Sequence, residues 1–427
     1  MTCALEPSIT DSSPLRYPGI NRHLRRYLKA LIPSLQACLT QSAQSCGAER
    51  YRKHFDSFAH FILLLFHSLS GSPSLRQTYA TFSICPGLIA LSGLDPPPRG
   101  AGPGISFSEF AHSNSSRPYE FLLGLIPSLS HQVLAQKPHS SLPKELLVLD
   151  STFLPLSMAL ASWLPRAQKK SGEGVRVQVE YSPALDLPEH FLITDSRTND
   201  CQGLDELVLD QPAELARLRG QTLVVDLGYY SHRRYLTLLD SGIHLVSRLN
   251  EQAHYELEEE LPHQENLFCL PGERVRVLSD ALITLGSPNN RAGALIPNLR
   301  LVQAEVWRGR DEPLLYQIIT DRWDLPASEV VLLYLYRWGI ELFFRWLKSH
   351  IKLDRLLGYS PNAVTLSVIL ALVVHLICLL AGMETNYGGR SAALLRQLAL
   401  LLTLLDLSHP QPMPRQLVLP GWEEALC

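Results

Sequence analysis

Between Leu142 and Asn250 the chain alternates strand-length apolar runs with helical periodicity, and that order restricts the folds open to it. KELLVLDSTFLPLS holds an apolar run, LLVL, that ends in Asp150. GVRVQVEYS (Gly174 to Ser182) alternates as a half-buried strand does, and EHFLITDS (Glu189 to Ser196) reads as another strand. DELVLDQPAELARLRG reads as a helix closed by Gly220. QTLVVDLGYYSHRRYLTLLDSG is a buried strand, an acid, a turn and then a helix, and IHLVSRLN (Ile243 to Asn250) is a further strand. Strand, strand, strand, helix, strand, helix, strand predicts a mixed α/β layer.

The flanks have a different texture. Residues 1–140 read as helical, with HFILLLFHSLSG (His54 to Gly71) an apolar helix stopped by glycine. A loop rich in Pro and Gly follows, GLDPPPRGAGPG (Gly93 to Gly104). In ISFSEFAHSNSSRPYEFLLGLIPSL a Ser-rich polar turn is expected to lead into an amphipathic helix. The region is either a DNA-reading helical unit or a plain helical bundle. Residues 251–328 break the α/β order: ELEEE reads as a solvated acidic segment, and RVRVLS, LRLVQAEVW and LLYQIIT read as strands. The expected organisation is a helical N-terminal region over 1–140, the first part of an α/β core over 141–250, and a β-rich insertion over 251–328. The second part of the core follows over 329–385, with a C-terminal helical region over 386–427.

With 427 residues, 46% hydrophobic and 19% charged, the chain can bury a sizeable core and lies outside the disordered class. Its net charge of -3 carries no nucleic-acid signal, but residues 1–149 hold 13 Lys and Arg against 8 Asp and Glu, leaving the remainder acidic. Arg22, Arg25 and Arg26 lie in the basic stretch RYPGINRHLRRYLKALI (Arg16 to Ile32) and are the candidate DNA contacts of that region. The eight Cys show no CxxC pair, which excludes a zinc ribbon and suits a reducing cytoplasm. No N-terminal signal peptide is visible. TLSVILALVVHLICLLAG (Thr365 to Gly382) has the length of a membrane span, but His375 lies inside it and a buried core helix is the expectation.

YLYRWGIELFFRWLKSH (Tyr334 to His350) reads as a helix. At about 100° per residue, Tyr336, Ile340, Phe343 and Leu347 form a core face. Tyr334, Arg337, Glu341 and Lys348 cluster opposite, with Trp338 and Arg345 nearby. One reading makes Glu341 a partner in i,i+4 ion pairs with Arg337 and Arg345. The other joins Glu341 to Asp150 and Asp226, each at the end of an apolar strand. An acid there is costly unless something pairs with it, and its ordinary partners are a helix N-cap or a buried ion pair. Three such carboxylates can hold a pair of hard divalent cations for phosphodiester chemistry. The cations on the helix then hold substrate phosphates.

Tyr334, Arg337, Glu341 and Lys348 match Y-(2)-R-(3)-E-(6)-K at every position. This pattern resembles that of DDE transposases of bacterial insertion sequences, the insertion sequence four branch. LVLDST around Asp150 and VVDLGYYS around Asp226 resemble its two aspartate motifs, and HLVSRLN the strand after them. The similarity runs from about Glu145 to Ala363, with a weaker likeness in SEFAHSNSSRPYEF. Gln178 stands where relatives are expected to carry His. The resemblance implies an α/β fold with a ribonuclease H-like catalytic core and a β-rich insertion before the glutamate helix, preceded by a helical N-terminal domain. It implies cut-and-paste transposition with Asp150, Asp226 and Glu341 holding two Mg²⁺, Mn²⁺ able to substitute. Tyr334, Arg337 and Lys348 grip terminal phosphates, with Trp338 and Arg345 as further DNA contacts and Trp338 or Trp346 as a stacking platform. The partners implied are the double-stranded DNA of the inverted-repeat ends and the target, a homodimer in the synapse, and no membrane, in a bacterial cytoplasm at the nucleoid. The rival readings are an inactive DNA-binding remnant and a metal-dependent nuclease of the same fold.

Overall fold

Apolar side chains at helical spacing fill the first third of the chain and form seven helices among the described residues. The computed structural model describes residues 18–50, 54–94, 104–136, 142–143, 145–157, 159–165, 173–263, 267–270, 273–287, 294–309, 312–351, 353, 355–385 and 391–405. The helices are α1 (Pro18–Ser45), α2 (Ser57–Ser70), α3 (Leu75–Ser83), α4 (Pro86–Ser92), α5 (Phe107–Ser116), α6 (Glu120–Leu123) and α7 (Leu125–Gln136). The Asp56 side chain accepts from Ala59 N and starts α2, and Gly71, at φ 64°, stops it. Twelve of the fourteen residues of α2 are buried, as expected of a helix apolar all round. The Pro- and Gly-rich stretch at 95–103 lies outside the described residues. The Ser-rich segment differs from expectation: FSEFAHSNSS is itself helix α5, where a turn was predicted.

The described residues divide into two compact units. One draws on Met1–Ser113, Glu120–Ala135 and Val373–Cys427, and the other on Asn114–Tyr119 and Gln136–Leu372. The second unit is built on one ten-stranded mixed sheet. Its strands are β1 (Leu146–Pro155), β2 (Gly174–Ser182), β3 (Leu187–Asp195), β4 (Thr222–Val224), β5 (His244–Arg248), β6 (Tyr255–Glu260), β7 (Leu267–Leu270), β8 (Glu273–Leu285), β9 (Ile296–Trp307) and β10 (Leu314–Thr320). The order is β3-β2-β1-β4-β5-β10-β9-β8-β6, with β7 paired to β8. β2 runs antiparallel to β1, while β4 and β5 run parallel to it. Through β10 against β5, the strands of 251–328 extend the sheet of the core. ELEEE, read as a solvated acidic segment, is the exposed edge strand β6; its charges suit an edge open to water.

Helices cover the sheet. The predicted helix over residues 205–220 is a π-helical turn (Asp205–Leu209), which continues α8 (Asp200–Leu204), and then α9 (Pro212–Leu218), with the break before Pro212, which has no N–H to donate. After β4 come a 3-10 turn (Leu227–Tyr229) and α10 (His232–Asp240). Leu147, Leu149, Leu218, Leu223, Tyr235, Leu238 and Leu245 are buried in the core these elements enclose. The predicted single helix of 334–350 is α11 (Ala327–Leu335) and α12 (Trp338–Trp346), with a π-helical turn (Leu347–Ile351) after it. At the junction bonding tightens: Arg337 N bonds Tyr334 O, Gly339 N bonds Tyr336 O and Ile340 N bonds Arg337 O. Ile340, Phe343 and Leu347 are buried as the periodicity predicts, but Tyr334 is also buried, on the face expected to be open.

Among the described residues the last helices are α13 (Pro361–Thr385) and α14 (Ser391–Leu404). By length and composition α13 could cross a membrane, yet 89% of its most apolar stretch is buried inside the protein. It packs as a core helix. Residues 406–427 lie outside the described residues.

Candidate active site

β1 positions the first acid. Its hydrogen bonding to β2 runs from Val148 to Pro155, whereas β4 accompanies it only over Leu146–Val148. Asp150 was expected at the end of the strand; it lies mid-strand, just past the point where β4 stops. The gap left by β4 opens the sheet beside it. Val225 and Asp226 follow β4 there. Val225 N bonds Val246 O on β5, and the Asp226 side chain caps the 3-10 turn by accepting from Gly228 N at 2.8 Å. Glu341 lies in the first turn of α12. The middle of β1, the turn after β4 and the start of α12 bring the three acids within electrostatic reach of one another.

Arg337 stands among them. Its Nη2 is 2.7 Å from Glu341 Oε1 and its Nη1 is 3.5 Å from Asp150 Oδ2. The i,i+4 pair with Arg337, one of the two readings open to Glu341, forms in this chain. The pairing with Arg345 does not; Arg345 is exposed and its guanidinium lies 5.5 Å from the Trp338 ring. Asp150, Ser151, Glu341, Phe344, Arg345, Lys348 and Ser349 line an open cleft of about 480 Å³. Among the described residues no group of three or more His, Cys, Asp or Glu side chains forms a ready-made metal cluster.

The electrostatics tie the acids together. Burial pushes the Asp150 carboxyl up from 3.8 to about 7; Asp226 and Glu341 add to the rise, and Ser151 N and Arg337 oppose it. Burial also raises Asp226, with Asp200 and Glu341 adding to it and Gly228 N and Arg337 opposing. Like charges are thus crowded where one guanidinium only partly offsets them. Such a set gains from a divalent cation, and its donors are the hard oxygens that Mg²⁺ prefers.

The other predicted residues are placed as follows. Tyr334, 4% exposed, lies behind Arg337, with its ring 5.8 Å from both the guanidinium and the Tyr316 ring. Lys348 Nζ donates to Phe153 O on β1 at 3.1 Å and lines the cleft. Trp338 is exposed, with Arg308 and Arg345 both 5.5 Å from its ring. Trp346 stacks on His350 and is half-buried. Arg22, Arg25 and Arg26 are exposed on α1.

Sequence reasoning missed a polar layer under the acids. Asp200, Ser151 and Arg176 form one hydrogen-bonded group, and the buried Gln178 accepts from Tyr229 OH at 2.8 Å. Gly203 leaves the space for Gln178; a Cβ there would lie 2.2 Å from its Nε2. The one available signal was N-D-C-Q at 199–202, a capping box that starts α8 with Asp200. Asn114–Tyr119, the end of α5 and the residues after it, belong to the second unit. Asn114 Nδ2 donates to Leu357 O, and Asn362 Nδ2 donates to Asn114 O and Arg117 O.

Residues 141–377 match the family described as Transposase DDE domain. Curated relatives agree. A putative transposase, y4zB, of Sinorhizobium fredii is 28% identical over 55% of this chain and 60% of its own length. The probable transposase for insertion sequence element IS5377 of Geobacillus stearothermophilus is 25% identical over 65% of this chain and 68% of its own. The putative transposase for insertion sequence element IS4SA of a Synechocystis strain is 20% identical over 70% and 78%. The chain thus spans about three fifths of the first of these relatives.

Proposed function

The chain belongs to the transposase DDE domain family, and from that premise we propose that it catalyses DNA transposition, cutting the inverted-repeat ends of an insertion sequence and joining them to a target. The observation that carries the proposal is that Asp150 and Glu341 line one cleft, with Asp226 near enough to both that its charge and theirs raise the Asp150 and Asp226 carboxyls beyond what burial does. The strand order β3-β2-β1-β4-β5, with β2 antiparallel and β4 and β5 parallel to β1, reads as a ribonuclease H-like core. The insertion strands extend it.

Asp150, Asp226 and Glu341 are the residues that would hold divalent cations, Mg²⁺ first and Mn²⁺ as a substitute. Such cations, when bound, supply Lewis acidity and a water of lowered pKa for attack on a phosphodiester. The chain's own cations bind and orient the DNA. Arg337 exchanges its two carboxylates for a phosphate once the acids are otherwise neutralised, and a bidentate guanidinium suits that ligand. Lys348, held against β1, reaches a second phosphate from the same cleft. Tyr334 braces Arg337 from behind. Trp338, between Arg308 and Arg345, offers an aromatic face to an unstacked base, with the two guanidiniums beside it for the backbone. Arg22, Arg25 and Arg26 on α1 contact duplex DNA further from the chemistry. Two copies act together on two ends, in a bacterial cytoplasm.

The test is incubation of purified protein with DNA carrying the element's own ends, in Mg²⁺, Mn²⁺ or EDTA. Metal-dependent nicks at the ends, followed by joining to a target plasmid, are expected. Cutting of any duplex without regard to the ends would favour a nuclease. Tight end binding without cutting would favour a DNA-binding remnant.

A further inference from the structure

The two aspartates at the centre of the proposed site come from backbones that part company just before the acids. β1 and β4 are hydrogen-bonded only through Val148 and Val224. Beyond that pair, Val225 turns its N–H to β5. No backbone bond between β1 and the β4 exit then fixes how far Asp150 stands from Asp226. The spacing must be set from the side.

One side chain reaches both. Asp200 Oδ1 accepts from Ser151 Oγ at 2.7 Å and from Arg176 Nη1 at 3.1 Å, and Arg176 Nη1 also donates to Ser151 Oγ at 2.9 Å. Ser151 is the residue after Asp150, and its N–H donates to Asp150 Oδ1 at 2.7 Å. The other oxygen of Asp200 lies against the turn after Asp226. A Cβ added to Gly228 would come 2.6 Å from Asp200 Oδ2 and 3.0 Å from Asp226 Oδ1. Cys201 Sγ, next in sequence, is 3.5 Å from Gly228 O. Gly228 N is the donor that orients Asp226. The start of α8 therefore touches the neighbour of one aspartate and the donor to the other.

A carboxylate is a costly choice for a mere spacer here. Asp200 adds a like charge beside Asp226, and Arg176 offsets it from one side only. A carboxylate can accept at both oxygens, while Arg176 anchors the group to β2.

We propose that Asp200, held by Arg176, is a positioning residue that clamps Ser151 to the turn at Gly228 and so sets the separation between Asp150 and Asp226, two of the residues that would hold a cation. The inference rests on the transposase reading for its cation and deepens it. Asp200 serves as the brace of the site and not as one of its ligands.

The experiment compares the full-length wild type with Asp200→Ala, Asp200→Asn and Arg176→Met by two readouts. One is Mn²⁺ binding without DNA, followed by electron paramagnetic resonance. The other is the Mg²⁺ concentration giving half-maximal cleavage of the element's ends. Circular dichroism checks that each variant is folded. Asp200→Ala and Arg176→Met are expected to weaken Mn²⁺ binding about tenfold or more, in the range for removal of a group that orients metal ligands. They should raise the Mg²⁺ requirement by a similar factor. Asp200→Asn, which keeps an oxygen for Ser151 and Arg176, should stay within about threefold of wild type on the same scale. Wild-type Mn²⁺ affinity in both Asp200→Ala and Arg176→Met would overturn the clamp. So would an Asp200→Asn variant as impaired as Asp226→Asn, since that would make Asp200 a ligand. Should Asp200→Ala fail to fold, Arg176→Met decides. If the wild type cuts no DNA, the functional reading fails, while the Mn²⁺ titration still decides the clamp.

Discussion

Asp150→Asn tests the electrostatics of the site without any DNA. The folded chain raises the Asp150 carboxyl from 3.8 to about 7, chiefly by burial. A folded value above the unfolded one means that the native state holds the proton more tightly. The stability this confers is complete below about pH 4 and is lost as pH rises through about 7. Three powers of ten at about 1.4 kcal/mol each set an upper bound of about 4 kcal/mol. Asparagine cannot ionise, so the variant escapes the loss. In EDTA, the variant's stability advantage over wild type, measured by urea unfolding, should be near zero at pH 4. It should widen by up to about 1.4 kcal/mol per pH unit and level off above pH 7. Added Mg²⁺ at pH 8 should narrow the gap by stabilising only the wild type. A gap of constant size from pH 4 to pH 8 would refute the reasoning, because it would mean that the carboxyl titrates as it does in the unfolded chain.

Other residues give independent tests. Arg337→Ala should tighten Mn²⁺ binding to the DNA-free protein at pH 8, since the guanidinium now meets two of the acids, yet lower end cleavage at least tenfold, about 1.4 kcal/mol of barrier; weaker Mn²⁺ binding would contradict the place held by Arg337. Replacing Arg22, Arg25 and Arg26 together by Ala should weaken DNA binding and flatten its salt dependence, by about 0.9 in log–log slope for each phosphate that the variant leaves unneutralised. Unchanged binding at two salt concentrations would remove α1 from the interface. Arg300 pairs with Asp280 through Nε at 2.8 Å and Nη2 at 2.5 Å, and both side chains are buried. Asp280→Ala should therefore cost about 3–5 kcal/mol by stranding a buried guanidinium, and a loss below about 1 kcal/mol on denaturant unfolding would show that water reaches the pair.

The succession of strands and helices along the core, and the nearness of the three acids to one another, were legible because each leaves a local mark. An apolar run that ends in an acid breaks pattern at a single residue, as at Asp150 and Asp226. The core face of α12 was legible from its period. What escaped was long-range. That β1 runs on beside β2 to Pro155, so that Asp150 lies mid-strand, while β4 stops after three residues, depends on pairing and not on composition. The break at Arg337 was hidden because the apolar period runs on through it and a lone Gly339 does not by itself end a helix; the junction is a local tightening, visible only in the bonding. Tyr334 is buried because α11 packs on the insertion strands, which no helical projection contains. Asp200 lies 50 residues from Asp150 and 26 from Asp226, and its role depends on where α8 docks. Arg337 could be assigned to phosphate or to Glu341 from sequence with equal logic, and without DNA the nearest anions decided it.

The central claim is that Asp150, Asp226 and Glu341 form one metal-dependent DNA-cutting site. Its most direct test is cleavage of a DNA fragment bearing the element's ends by wild type and by Glu341→Gln, each in Mg²⁺ and in EDTA. The account predicts cuts at the ends by wild type in Mg²⁺ alone, with the variant still folded and still binding the ends but cutting nothing. Cleavage that survives Glu341→Gln would contradict it, and would make the Arg337–Glu341 pair a structural ion pair on the face of a helix.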